Sequence, residues 1–292
     1  MPRLFAFMER AMQSQQQHPK QFSFEFFPPK SNEGAAKLRE TRDELAKLKP
    51  KYVSVTFGAG GSTQAGTVET VREMSQSGLD TAPHLSCIGS NKEEIRALLN
   101  GYIEMGVKRI VALRGDMPSG MREAGAFHYA NELVEFIRDE TGDHFHIEVA
   151  AYPEFHPQAP SAEADLDNFA RKVKAGANAA ITQYFYNLDA YLRFVEECEK
   201  RNVEVPIVPG IMPITNIKNL ARFSEMCGAE IPRWLRLRLE AYAEDTQSLR
   251  AFGLDVTSEL CRRLLEEGAP GLHFYTMNQV APTRIIWTNL GL

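Results

Sequence analysis

Residues Phe22-Ser23-Phe24-Glu25-Phe26-Phe27 alternate aromatic and polar positions before Pro28 and Pro29. A period of two predicts a strand with one buried face and one polar face. The prolines, which cannot donate to a ladder, end it. Glu25 lies on the polar face at the carboxyl end. Apolar positions at Ala36, Leu38, Leu45 and Leu48 then predict a helix over 33–48. The scheme repeats. β-Branched and aromatic runs predict strands over 52–58, 81–87, 109–116, 146–153, 179–186, 205–212 and 271–277. Helical spacing marks 67–75, 92–105, 128–140, 165–175, 188–200, 217–227 and 256–267, several closed by glycine. An inserted helix is predicted over 234–242, before the last βα unit, and a short one after Pro282. Residues 4–12 suit an amphipathic helix, and the glutamine run after them reads as a flexible connector.

Eight strands alternating with helices imply parallel βαβ units. On this length they predict an α/β fold, a single (β/α)8 TIM barrel with an extra N-terminal helix. The expected division is a helix and connector over 1–21 and a catalytic barrel over 22–292. A doubly wound open sheet is the alternative. The loop Gly58-Ala59-Gly60-Gly61 lacks the dinucleotide-binding spacing that would favour it.

Composition narrows the function classes. The chain has 43% hydrophobic residues and a net charge of −5, with no block of like charge. Neither nucleic acid nor an anionic membrane is an expected partner. No apolar run is long enough to span a bilayer, and the start lacks a signal-peptide pattern, so a cytoplasmic protein is expected. Cys87, Cys198, Cys227 and Cys261 stand far apart, without zinc or disulfide-framework spacing, and no metal is expected.

A barrel collects its chemistry at strand carboxyl ends. There the sequence places Glu25, Thr56, His84, Arg114, Asp116, Tyr152, Gln183 and Tyr275, a polar residue on almost every strand. Taken singly, Arg114 and Asp116 read as a local ion pair, and the tyrosines as core aromatics. Asp165, Asn168 and Lys172 share one helix face beside Arg171; on its own that face reads as solvated. These patterns describe an enzyme with two carboxylates, Glu25 and Asp116, at one mouth. They do not identify a cofactor.

Taken together, FSFEFFPPK, VSVTFGAGGST, TAPHLSC, IVALRGD, AAYPEFHP, ITQYFY, VPGIMPI and HFYTMN, in this order, resemble the methylenetetrahydrofolate reductases of the bacterial, catalytic-domain-only type. The resemblance implies a TIM barrel with non-covalent FAD. It implies reduction of 5,10-methylenetetrahydrofolate to 5-methyltetrahydrofolate by NADH or NADPH, a ping-pong hydride relay through FAD that feeds methionine biosynthesis, and a homo-oligomer. By resemblance, Glu25 is the catalytic acid and Asp116 the flavin-side aspartate. FAD contacts fall on Phe57, Ala59, His84, Arg114, Gly115, Asp116, Ala130, Tyr152, His156, Ala159, Asp165, Asn168, Arg171 and Lys172. Thr56 and Gln183 match positions near the nicotinamide and folate, and Phe223 an aromatic lid that its helix alone would suggest is core. Tyr275 and Gln279 complete the expected substrate set; Gln279 stands where the family commonly has arginine, Asn219 where glutamine is common and Phe57 where tyrosine is common. A proline-oxidising flavin barrel and a non-catalytic flavin- or folate-binding protein are the other readings.

Overall fold

A computed structural model describes residues 12–57, 64–116 and 125–292. The strands among them are β1 (Gln21–Phe26), β2 (Tyr52–Val55), β3 (Thr81–Ser86), β4 (Arg109–Leu113), β5 (His146–Ala151), β6 (Ala179–Thr182), β7 (Ile207–Val208), β8 (Gly210–Ile211) and β9 (Gly271–Tyr275). The helices are α1 (Gln13–Gln16), α2 (Asn32–Ala46), α3 (Gln64–Gln76), α4 (Lys92–Glu104), α5 (Ala130–Thr141), α6 (Ala162–Lys174), α7 (Leu188–Glu199), α8 (Ile217–Cys227), α9 (Arg233–Ala241), α10 (Thr246–Glu267) and α11 (Val280–Asn289). The hydrogen-bonded order is β7-β6-β5-β4-β3-β2-β1-β9-β8. Its two ends, β7 and β8, are successive pieces of one strand interrupted at Pro209, which has no N–H to give. The nine segments therefore amount to the eight expected strands, and the fold is the α/β (β/α)8 barrel.

The chain divides into two compact units. One comprises Ser23–Ala150 with Arg171–Ala180. Its strands pair in parallel, with Glu25 opposite Ser54, Ser54 opposite Ala82, and Leu85 opposite Ala112. Phe24 and Phe26 are buried, as the alternation predicts. α2 starts where Ser31 Oγ accepts the Gly34 N–H, and α4 at a capping box between Asn91 and Glu94. At the amino ends of the strands a charged cluster is buried. Glu148 accepts from Tyr52 Oη and from Arg109 Nη1, each at 2.5 Å, and the Arg109 guanidinium lies 4.4 Å from the Tyr52 ring centre.

The other unit comprises the described residues up to Phe22, Ala151–Ala170 and Ile181–Leu292. Phe22 packs edge-on against Trp287 at 5.2 Å. Three expectations need correction here. The glutamine run is not a plain connector: it includes α1, and Gln15 is fully buried. The Gln15 carboxamide accepts the Ile207 N–H at 2.7 Å and donates to Val205 O at 3.2 Å, serving strand-end groups that would otherwise be orphaned. The helix expected over 256–267 begins ten residues earlier, at Thr246, capped by Asp245 Oδ1. Gly253, inside this helix, allows close packing: a Cβ there would stand 2.3 Å from Ile214 O. The last helix starts at Val280 and accommodates Pro282 in its first turn, where no intrahelical N–H bond is lost. The helix expected over 4–12 lies outside the described residues apart from Met12.

Candidate active site

In the first unit the candidate residues gather at the carboxyl edge of β1–β4. β1 ends one residue after Glu25, and β4 ends three residues before Asp116, which is exposed. Because these strands are parallel, both carboxylates lie on the same edge. Glu25 Oε2 is 3.4 Å from His84 Nε2, with the two side chains only 18% and 10% exposed. The pairing is new information: the sequence places Glu25 and His84 on separate strands and gives no sign that they touch.

Two hydroxyls on the neighbouring strand stand out. Ser54 Oγ and Thr56 Oγ1 are buried and make no hydrogen bond among the described residues. They are two residues apart on one extended stretch, and Ser54 is the register partner of Glu25. An unmade hydrogen bond in a buried place costs about 1–3 kcal/mol, and a polar ligand would supply one. Beyond β4, Gly115 has φ +84°, and a Cβ there would fall 2.0 Å from Ser86 Oγ. Ser86 Oγ in turn donates to Arg114 O at 3.0 Å. Only glycine lets the main chain turn so close to the end of β3. Arg114 Nε donates to Gly115 O at 3.1 Å, so the expected local ion pair with Asp116 is not the arrangement found. Lys172 Nζ donates to Ala150 O at 2.5 Å, holding its ammonium at the end of β5. Phe57 and Ala130 are half-buried and Arg171 is exposed. Ala59 lies outside the described residues, as does the glycine-rich loop that contains it.

In the second unit, Tyr152 and His156 meet edge-on with centroids 4.6 Å apart. Asp165 Oδ2 accepts the His156 N–H at 2.9 Å, tying the loop after β5 to the first turn of α6. Ala159 N donates to His156 O at 2.9 Å within that loop, and Asn168 is half-buried. Gln183 N extends the β5–β6 pairing by donating to Ala151 O at 2.7 Å, and its side-chain oxygen accepts the Tyr184 N–H at 3.0 Å. Tyr275 Oη donates to Thr182 O at 2.7 Å, so its hydroxyl grips the carbonyl immediately before Gln183. Gly210 N donates to Thr182 Oγ1 at 2.9 Å, and a Cβ on Gly210 would stand 2.7 Å from the Tyr275 ring. Phe223 is half-buried on α8, with the Arg222 guanidinium 5.0 Å from its ring centre. Only Leu220 and Ser224 of that helix are buried, so Phe223 does not occupy a core face. After β9, Met277 and Asn278 both take left-handed conformations, φ 51° and 52°. Such backbone is uncommon for a non-glycine residue and here aims the exposed Gln279, the N-cap position of α11.

Glu154 was not singled out from the sequence. Its Oε2 accepts the Glu230 N–H at 2.8 Å, while Oε1 is buried without a partner among the described residues. Burial raises its pKa above the usual carboxylate value. It lines a small cavity with Tyr152, Gln183, Tyr184 and Cys227. The available sequence signal was its position in AAYPEFHP, three residues beyond β5.

The family model for methylenetetrahydrofolate reductase matches residues 9–291. The chain is 41% identical over 271 residues to the 5,10-methylenetetrahydrofolate reductase of Salmonella typhimurium, covering 92% of this chain and 90% of that one. The chain belongs to the methylenetetrahydrofolate reductase family. It is also 40% identical to the Escherichia coli enzyme of the same name, with the same coverage. It is 38% identical to methylenetetrahydrofolate reductase (NADH) 1 of Arabidopsis thaliana, where it spans 48% of the longer plant chain. Among solved structures, a Clostridium thermocellum protein described as binding two copies of 5-methyl-5,6,7,8-tetrahydrofolic acid shares the fold. Its TM-score is 0.67 at 15% identity, covering 98% of this chain and 97% of that one. No described helix of this family member is long and apolar enough to cross a membrane.

Proposed function

We propose that this chain reduces 5,10-methylenetetrahydrofolate to 5-methyltetrahydrofolate with NAD(P)H, using FAD, in supply of methyl groups for methionine synthesis. The observation that carries the reading is Glu25. It is a largely enclosed carboxyl at the end of β1, 3.4 Å from His84 and beside two buried hydroxyls with open hydrogen-bonding capacity, in a chain of this family. Bound FAD supplies a two-electron carrier able to accept hydride from the nicotinamide and deliver it to the folate. The residues proposed to hold it are those the resemblance implies. Thr56 Oγ1, which has no hydrogen-bond partner among the described residues, and the close backbone turn at Gly115 fit a polar, planar ligand of this kind.

The chain's own part is proton placement and positioning. The bridging carbon of the folate is a poor hydride acceptor while its five-membered ring is closed. Protonation at N10 opens that ring to an electrophilic iminium at N5. Glu25 is the donor for this proton, and His84 holds its carboxyl in place. Asp116 favours the positive charge that develops on the pterin, and Gln183 orients the bound substrate. NAD(P)H and folate bind by turns, giving ping-pong kinetics.

Glu25→Gln tests the assignment. Rapid mixing with NAD(P)H should bleach the flavin nearly as fast as in the unaltered protein. Reoxidation by methylenetetrahydrofolate should slow by roughly a hundredfold or more, the usual worth of a positioned acid. Equal slowing of both half-reactions would remove Glu25 from the acid role. A preparation that takes up no FAD would end the reading altogether.

A further inference from the structure

Two segments of the second unit carry candidate ligand contacts and come from distant parts of the chain. The loop after β5 presents Tyr152 and His156, and α8 presents Phe223. Glu154, between Tyr152 and His156, joins the two segments. Its Oε2 accepts the N–H of Glu230, just beyond α8, at 2.8 Å. A second contact supports the first. Gly228 caps α8 at φ +74°, and a Cβ there would stand 2.6 Å from Pro157 Cγ. Tyr184 Oη and Ser224 Oγ share a hydrogen bond of 3.0 Å, and the Tyr184 N–H is the group that holds the Gln183 side chain. The end of α8 is thus fastened both to the loop after β5 and to the segment that follows β6.

Glu154 makes the first of these fastenings sensitive to charge. Its other oxygen, Oε1, is buried without a partner among the described residues, in the small cavity lined by Tyr152, Gln183, Tyr184 and Cys227. An ionised carboxylate is costly in an enclosed place that leaves one oxygen without a donor, and a neutral carboxyl is tolerated far better. No cation forms an ion pair with Glu154 among the described residues. Burial is the main cause that raises its pKa, and the Glu230 carboxylate adds to it, against a smaller pull downward from the Glu230 N–H than burial exerts upward. Ionisation therefore draws the side chain toward water and releases the Glu230 N–H.

We propose that Glu154 is a positioning residue of the reductase site: its neutral carboxyl latches α8 to the loop after β5, and so holds Phe223 where substrate packs against it. The sign follows from the carboxyl's raised pKa. The latch is complete at low pH and is lost as pH rises through that raised value, so ligand affinity falls with increasing pH. Glu154 acts through α8 and not on the reacting atoms. The assignment rests on the reductase reading, because the ligands of that site report it.

Calorimetric titration of the FAD-loaded full chain with 5-methyltetrahydrofolate tests it. Between about pH 5 and about pH 9, the dissociation constant of the unaltered protein should rise by about tenfold or more. Glu154→Gln keeps an oxygen for the Glu230 N–H and cannot ionise, so its dissociation constant should stay within about twofold of the acid-end value throughout. Tyr184, Cys227 and Glu230, the other titratable groups facing Glu154, are all retained in that variant, as is His156 on the same loop. A pH dependence that disappears with it belongs to Glu154. Glu154→Ala has no latch and should bind about tenfold more weakly even at the acid end, while flavin reduction at saturating NADH stays within about twofold of the unaltered rate. The proposal fails if affinity of the unaltered chain is flat with pH, if Glu154→Gln keeps the unaltered profile, or if Glu154→Ala binds as tightly as the unaltered protein at the acid end. Failure of the reductase reading looks different: 5-methyltetrahydrofolate then binds none of the three proteins at any pH, and the latch is overturned with it.

Discussion

Arg109→Met addresses the buried cluster at the amino ends of the strands. Glu148 has a side chain only 3% exposed, and its two strong partners are Arg109 and Tyr52, each at 2.5 Å. Removing the guanidinium leaves a carboxylate in a place where its charge has lost its main compensation. Breaking a buried pair from one side costs about 3–5 kcal/mol. The Arg109 guanidinium also stacks over the Tyr52 ring at 4.4 Å, worth about 0.5–2 kcal/mol more. At about 2–4 °C per kcal/mol for a chain of this size, the combined loss should lower the melting temperature by about 7–28 °C. The reverse test removes all the charge at once. Arg109→Met with Glu148→Met and Tyr52→Phe leaves neither a bare carboxylate nor a bare hydroxyl, and should recover most of the loss, since apolar replacement of a buried ion pair is often neutral or better. Thermal and urea unfolding of both variants measure this. A loss under about 1 kcal/mol for Arg109→Met, or a triple variant no more stable than the single one, would refute the claim that compensation of Glu148 is what the cluster provides.

Three further outcomes follow from the same geometry. His146 is held down to a pKa of about 4, by burial first and then by Arg109, Arg138 and Lys51. The unfolded chain binds a proton there near pH 6.5 and the native one does not, so stability should be full above pH 6.5 and decline toward pH 4; His146→Gln should flatten that part of a melting-temperature profile. Tyr275→Phe frees the Thr182 carbonyl beside Gln183, and should lower kcat for the folate step while leaving the rate of flavin reduction within a few-fold, as read by stopped-flow absorbance. Thr56→Val removes a buried hydroxyl that has no partner among the described residues, and should stabilise the ligand-free protein by about 1 kcal/mol while raising KM for substrate.

Much of the fold was legible because strand and helix periodicities alternate without interruption from Phe22 onward. The polar residues at strand ends were legible for the same reason, since a parallel arrangement leaves them nowhere else to lie. What escaped the sequence was long-range pairing. Glu148 sits between Ile147 and Val149 in a strand with apolar stretches, a sign of a buried acid, yet nothing local points to Arg109, which is 39 residues away. Gln15 looked like linker because its partners, Val205 and Ile207, are about 190 residues further on. The helix expected from 256 starts at Thr246 instead, and Gly253 within it packs against Ile214 O, which belongs to another segment. In each case the missing information was a contact, and a single sequence carries none.

Burial without a partner separates the candidate site from the rest of the edge more sharply than residue type does. A strand built only for packing would place valine or alanine at positions 54 and 56, because a hydroxyl without a hydrogen bond destabilises the fold. Among the described residues Ser54 and Thr56 both carry that cost, beside the strand whose carboxyl end presents Glu25. Other buried hydroxyls without a partner among the described residues, Tyr102 Oη and Thr283 Oγ1, stand singly. Two on the same face, in register with Glu25, point instead to a polar partner from outside the chain, whose binding restores the missing bonds and thereby gains affinity from the strain left in its absence. The same reasoning applies to Met277 and Asn278, whose left-handed backbone is retained at the end of β9 although neither is glycine. Stability sacrificed at strand carboxyl ends, while the amino ends are held by Glu148 and its partners, is what a barrel that binds and transforms small molecules requires of its sequence.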